Sequence, residues 1–148
     1  MRRAPPPAAN PEPKRVSSNA RNKPVKTGNR MMKHKTLSIV HPNGTRIANG
    51  EKTIEVRRWL PPTDLTGDLL IVENKNFLFK EGETDIGIPV AIVKIKSVRP
   101  FEEKDIPAAC ATRWEPGYYS WELTEVRKLN STQQVLAARG IYELEIDL

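Results

Sequence analysis

The stretch Gly50-Glu51-Lys52-Thr53-Ile54-Glu55-Val56-Arg57-Arg58-Trp59 places five ionised side chains and an indole in ten residues, yet it keeps the β-branched rhythm of a strand. Period-two alternation over residues 52–60 puts Thr53, Glu55, Arg57 and Trp59 on one face, with Ile54, Val56, Leu60 and Arg58 on the other. Pro61 and Pro62 stop the run, because neither can donate to a ladder. A strand with one apolar face and one chemically equipped face needs a sheet around it.

Working outward, residues 36–40 (Thr-Leu-Ser-Ile-Val) read as a preceding strand, broken by His41-Pro42-Asn43-Gly44. Asn43 is placed to cap a brief helical turn over residues 45–48, and Asn49-Gly50 to end it. Downstream, strands are expected at residues 68–75, 88–98, 118–129 and 140–148. Residues 101–106 suit one helical turn, 107–117 an irregular Pro-bounded loop, and 130–139 a polar connection. About six strands with one or two short helices make a mainly β fold, a small barrel or a sandwich.

The 148-residue length accommodates one domain and a tail. The formal charge of +6 is divided unevenly. Residues 1–35 hold ten basic residues against one acid, Glu12, while residues 36–148 hold fourteen against seventeen. The first thirty or so residues carry almost no large apolar side chain, so a disordered basic arm is expected over 1–33, ahead of a folded domain over 34–148. Met31 and Met32 sit where the natural chain would start if the arm were an extension. No run reaches the ~20 apolar residues of a membrane span, which predicts a soluble, cytoplasmic protein without a membrane partner. Cys110 is the only cysteine, so no internal disulfide or Cys-rich metal site forms.

P-loop, dinucleotide-binding and nucleophile-elbow signatures are absent, and no cofactor is expected. His34 and His41 lack partners at ligand spacing, so no metal is expected either. The Glu55 face is the chemical feature that remains. Its carboxylate, guanidinium and indole are the parts needed to hold a nucleotide: a ring or guanidinium to stack, Glu55 to read an exocyclic amine, and Arg57 or Lys52 to meet phosphate. The same residues would also serve a solvated strand face held by ion pairs. Trp114 sits beside Arg113 in the 107–117 loop, where it is placed either to stack on a base or simply to pack. Tyr119 and Trp121 share a face with Leu123, so Trp121 is read as core. Lys94 and Lys96 read as a solvated face.

Gly50-x-Lys52-x-x-Glu55-x-Arg57 resembles the signature of the ASCH family of PUA-like domains. The segments 37–42, 67–75 with Lys75 at its end, 119–129 and 140–142 resemble its other strands. The resemblance implies a small PUA-like β-barrel with a cleft beside the signature strand. It also implies RNA, another nucleic acid or a nucleotide as partner, with Lys52, Glu55, Arg57, Trp59, Lys75, Trp114 and Tyr119 as binding residues. A monomer is expected.

The alternative it carries is a small hydrolase. In an N4-acetylcytidine amidohydrolase-like enzyme Lys52 would be catalytic, with Glu55 standing where those enzymes have threonine and with Glu102 or Glu115 as the further acid. In a ribonuclease-like enzyme Lys52 would act with Ser120 or Tyr119.

Overall fold

A computed structural model describes residues 31–148. The elements are β1 (Met32–Val40), α1 (Asn43–Ala48), β2 (Ile54–Arg57), β3 (Leu69–Asn74), β4 (Thr84–Pro100), α2 (Ile106–Ala109), β5 (Tyr119–Lys128), β6 (Val135–Ala138) and β7 (Ile141–Ile146), with a 3-10 turn, Glu103–Asp105, before α2. One mainly β sheet runs in the order β2-β5-β4-β3-β1-β7, and β6 pairs with β4. All pairings are antiparallel except β1 with β3.

Two features differ from the expected barrel of about six strands. The described residues form seven strands, and their hydrogen-bonded path does not close. The additional strand, β6, lies within residues 130–139, expected as a polar connection. Its Val-Leu-Ala-Ala sequence carries little β preference, and the edge of β4 at Thr84–Gly87 supplies its ladder. β1 starts at Met32 and pairs from there with β7, so Met32 and Lys33, assigned to the arm, belong to the sheet. Residues 1–30 of that arm lie outside the described residues.

β4 is long because it serves three neighbours. Ile71 pairs with Ala91 and Val72 with Pro89, which leaves Val90 as the extra residue of a bulge. A proline without an N–H is tolerated at such a point. The same edge of β4 pairs β6 before the bulge and β5 after it.

The inner face gathers Leu37, Ile39, Ile47, Leu69, Ile71, Ala91, Val93, Trp121 and Leu123. Leu70, Val72, Val135, Ala137 and Ile146 pack on the other face. Side chains fasten β6 where no ladder does: the Ala138 amide donates to Ser38 Oγ (3.2 Å), Ser38 Oγ meets the Tyr142 hydroxyl (2.7 Å), and that hydroxyl donates to the Leu136 carbonyl (2.9 Å). Burial pushes the Tyr142 phenol up to about 12.

Gly87 is fixed by close approach. A Cβ there would lie 2.5 Å from Val72 Cγ1 and 2.8 Å from the Glu73 carbonyl oxygen. Gly87→Ala is therefore expected to cost about 1–3 kcal/mol of stability through overpacking against backbone. Chemical denaturation of the two proteins checks this, and an unchanged midpoint would contradict it.

Candidate functional site

The signature segment is shaped by the turn that follows α1. Asn43 does not cap the helix: the N-cap residue is Pro42, and no side chain caps it from within. Glu73 on β3 does so from outside, accepting from the Thr45 amide (2.7 Å) and the Thr45 hydroxyl (2.8 Å). At the other end Gly50 takes a φ of 82°, a left-handed conformation natural to glycine. The chain then reverses so that the amides of Glu51 and Lys52 both donate to the Arg46 carbonyl. The glycine of the motif thus sets where its lysine begins.

Lys52 points inward and is 5 % exposed. Its Nζ donates to the Ala109 carbonyl at the end of α2 (2.5 Å) and lies 3.5 Å from Glu55 Oε1. Glu55, 6 % exposed, accepts from Arg57 Nε at its other oxygen, Oε2 (2.7 Å). Arg57 Nη2 then donates to the Ser38 carbonyl on β1 (3.2 Å). This last bond joins β2, at one end of the sheet order, to β1 near the other end. One carboxylate is shared by two cations, so the trio carries a net positive charge. Arg57 is the member that remains partly open to solvent.

Behind this trio stands a pair of indoles. Glu55 lies opposite Trp121 and Arg57 opposite Tyr119 across the β2–β5 ladder, so these side chains share a face. Trp59 meets Trp121 edge-on, with centroids 5.0 Å apart and planes at 87°. The Arg57 guanidinium carbon lies 6.0 Å from the Trp59 ring centre, at the outer limit of a cation–π contact. Trp121 is fully buried, and its Nε1–H has no hydrogen-bond partner among the described residues.

The expected strand over 52–60 is only Ile54–Arg57, because the β5 ladder starts at Tyr119, opposite Arg57. Trp59 therefore lies beyond the strand and packs against the core beside Trp121. The Ile54 face behaves as alternation predicts, packing with Phe101 and Ala109.

Lys52, Glu55, Arg57, Trp59 and Tyr119 thus come together, with Ser38 and Ala109 supplying backbone carbonyls that no side-chain pattern could reveal. Among the described residues, no hydrogen bond or ion pair joins Lys75 or Trp114 to this group. Lys75 is exposed just past β3, and its amide donates to Asp85. Trp114 donates its Nε1–H to the Phe101 carbonyl (2.8 Å), on the Ile54 side of β2. The two acids considered for a hydrolase pair elsewhere, Glu102 with Lys104 and Glu115 with Arg113. Ser120 donates to buried Asp105 (3.1 Å) on the face opposite Tyr119, so of the two hydroxyls only Tyr119 lies on the Arg57 face. No group of three or more His, Cys, Asp or Glu among the described residues is arranged to hold a metal ion. No helix among them is long and apolar enough to cross a membrane.

The family model for the ASCH domain matches residues 37–133. Among solved structures, a tyrosine-to-phenylalanine mutant of ZmASCH from Zymomonas mobilis is similar at 12% identity and a TM-score of 0.49, over 68% of this chain and 75% of that one. A serine-to-alanine mutant of the same protein is similar at 13% identity and a TM-score of 0.47, over 68% of this chain and 73% of that one. No curated protein matches the chain.

Proposed function

Because the chain belongs to the ASCH domain family, we propose that it is a nucleic-acid-binding module, acting as a cytoplasmic monomer, that holds RNA or a nucleotide within RNA at the Lys52–Glu55–Arg57 segment. The observation that carries this reading is charge: one buried carboxylate faces two cations, and the more exposed of them, Arg57, uses only Nε and Nη2 in its protein contacts. Its remaining N–H groups are available to a phosphate or to a base acceptor, which a guanidinium grips in a fork. Tyr119 lies opposite it on the same face. Both Glu55 oxygens are engaged, so Glu55 orients the cations, and the exocyclic-amine role expected for it gives way to that one. Trp59 acts as support for Arg57, while Lys75 and Trp114 would add contacts outside this group.

Arg57→Ala is expected to weaken binding of single-stranded RNA at least tenfold and to flatten the dependence of log K on log salt by about 0.7. Fluorescence anisotropy across a salt series reads both quantities, and circular dichroism checks folding. Unchanged affinity in a folded variant would reject the proposal. The hydrolase reading rests on the burial of Lys52 beside a carboxylate. However, both Lys52 contacts use it as a donor, whereas a general base must offer a lone pair. Incubation with RNA and acetylated cytidine, followed by mass spectrometry, separates the two readings: turnover abolished by Lys52→Ala would establish the enzyme.

A further inference from the structure

The loop between β3 and β4 contains Lys75-Asn76-Phe77-Leu78-Phe79-Lys80, and its two phenylalanines are the most exposed large apolar side chains of the described residues, at 68% and 75%. Their rings lie 6.0 Å apart, tilted by 34°. Polar bonds hold the loop in shape, with no burial of the rings. Asp85 Oδ2 accepts from the amides of Lys75 (3.3 Å) and Asn76 (3.1 Å) and from the side chains of Asn74 (3.1 Å) and Asn76 (3.3 Å). Glu83 Oε1 accepts from the amides of Phe79 (2.6 Å) and Lys80 (2.7 Å). These two acids are therefore turned into the loop; the Ile86 amide, followed by the loop donors, holds the Asp85 carboxyl down to about 2, and the Lys80 and Phe79 amides hold Glu83 below the usual carboxylate range. Among the described residues, no hydrogen bond or ion pair engages the ammonium of Lys75 or Lys80.

From this arrangement we infer that the 75–80 loop is a second nucleic-acid contact, on which single-stranded RNA stacks its bases against Phe77 and Phe79 while Lys75 and Lys80 meet the flanking phosphates. The fit is chemical: every base has a π-face, aromatic platforms beside cations suit single strands without sequence preference, and the pattern here is cation, ring, ring, cation. A partner with only apolar chemistry would leave two ammonium groups unused. Position adds to the case. Val40 and Asn74 are the last pair of the β1–β3 ladder, and the loop begins at the next residue. Arg57 touches β1 at Ser38, two residues back from Val40, which is about 7 Å along the strand. A strand gripped at Arg57 would thus have the rings at the same end of the sheet. The inference rests on the nucleic-acid reading of that site, and it extends that reading to a part of the surface lacking any contact with the signature residues.

The test is anisotropy of a labelled, mixed-sequence single-stranded RNA with the full chain, the double variant Phe77→Ala/Phe79→Ala, the double variant Phe77→Leu/Phe79→Leu, and Arg57→Ala. Both rings are largely in water, so the loop variants are expected to fold, and circular dichroism confirms it. The alanine pair should bind about tenfold or more weakly with an unchanged salt slope, since stacking releases no counterions. The leucine pair, still apolar but without π-faces, should lose nearly as much. If both pairs bind like the parent while Arg57→Ala fails, the platform is overturned and the signature site stands. If the pairs fail and Arg57→Ala binds normally, the platform stands and the signature-site reading falls. If the parent binds no RNA at low salt, both fall. A leucine pair with parental affinity overturns stacking, as does retention of all four proteins on vesicles of anionic phospholipid in proportion to ring content, with no RNA effect.

Discussion

Glu55→Ala is expected to lower the unfolding free energy by about 3–5 kcal/mol, the range for removing one partner of a buried ion pair. The carboxylate neutralises Lys52 at 3.5 Å and Arg57 at 2.7 Å. Without it Lys52 keeps only the Ala109 carbonyl and Arg57 only the Ser38 carbonyl. Two positive charges would then face one another in a place where water cannot hydrate Lys52. For a domain whose stability is of order 5–15 kcal/mol, such a loss is a large share of the total. Removing the lysine as well should relieve most of the damage, because well-packed apolar replacements of a buried ion pair are often neutral. Urea unfolding of Glu55→Ala and of Lys52→Met/Glu55→Leu measures both effects. A loss under about 1 kcal/mol for Glu55→Ala would be typical of a surface pair, and would mean that the trio is hydrated.

The second large effect is expected at Asp105, the buried last residue of the 3-10 turn. Its carboxylate accepts a two-pronged contact from Arg99 (2.6 and 2.8 Å), the Glu102 amide (3.0 Å) and the Ser120 hydroxyl (3.1 Å). These bonds, led by Arg99 and opposed by burial, push the carboxyl down to about 2. Asp105→Ala should cost about 3 kcal/mol at neutral pH, since it leaves Arg99, Ser120 and a backbone amide without their acceptor. The group also imposes a pH dependence of definite sign. The folded value lies below the unfolded value of about 4, so an acidic solution protonates the unfolded chain first. The Asp105 contribution is therefore complete above about pH 4 and drains away as pH falls toward 2. The stability difference between the parent and Asp105→Asn should shrink over that window, as read by denaturation at fixed pH values from 7 to 2. A difference that stays constant to pH 2 would overturn the assignment.

Within the fold, alternation identified the two faces of the signature strand, with Ile54 and Val56 against the apolar cluster and Glu55 and Arg57 away from it. It also placed Trp121 in the core. The failures share a cause. Residues 130–139 conceal β6 because Val135–Ala138 becomes a strand only beside β4. Trp59 was expected on the strand face because alternation continues to residue 60, but the ladder has no partner beyond Arg57. Asp105 gave no signal at all, since the worth of its carboxylate depends on donors, Arg99 and Ser120, that arrive from two strands.

The amino-acid order by itself determined that this is a mainly β chain of the ASCH domain family, and that a lysine, a glutamate and an arginine stand close together in one short segment. Both follow from local chemistry: side-chain alternation has a period of two wherever a strand forms, and Gly50 alone permits the tight turn that precedes Lys52. Tertiary structure decided what the three charges do. Lys52 finds its carbonyl 57 residues away at Ala109, and Arg57 finds its own 19 residues back at Ser38. Those partners are set by strand register and by the bending of the sheet, which sum contacts over the whole chain and leave no trace in any short window of it.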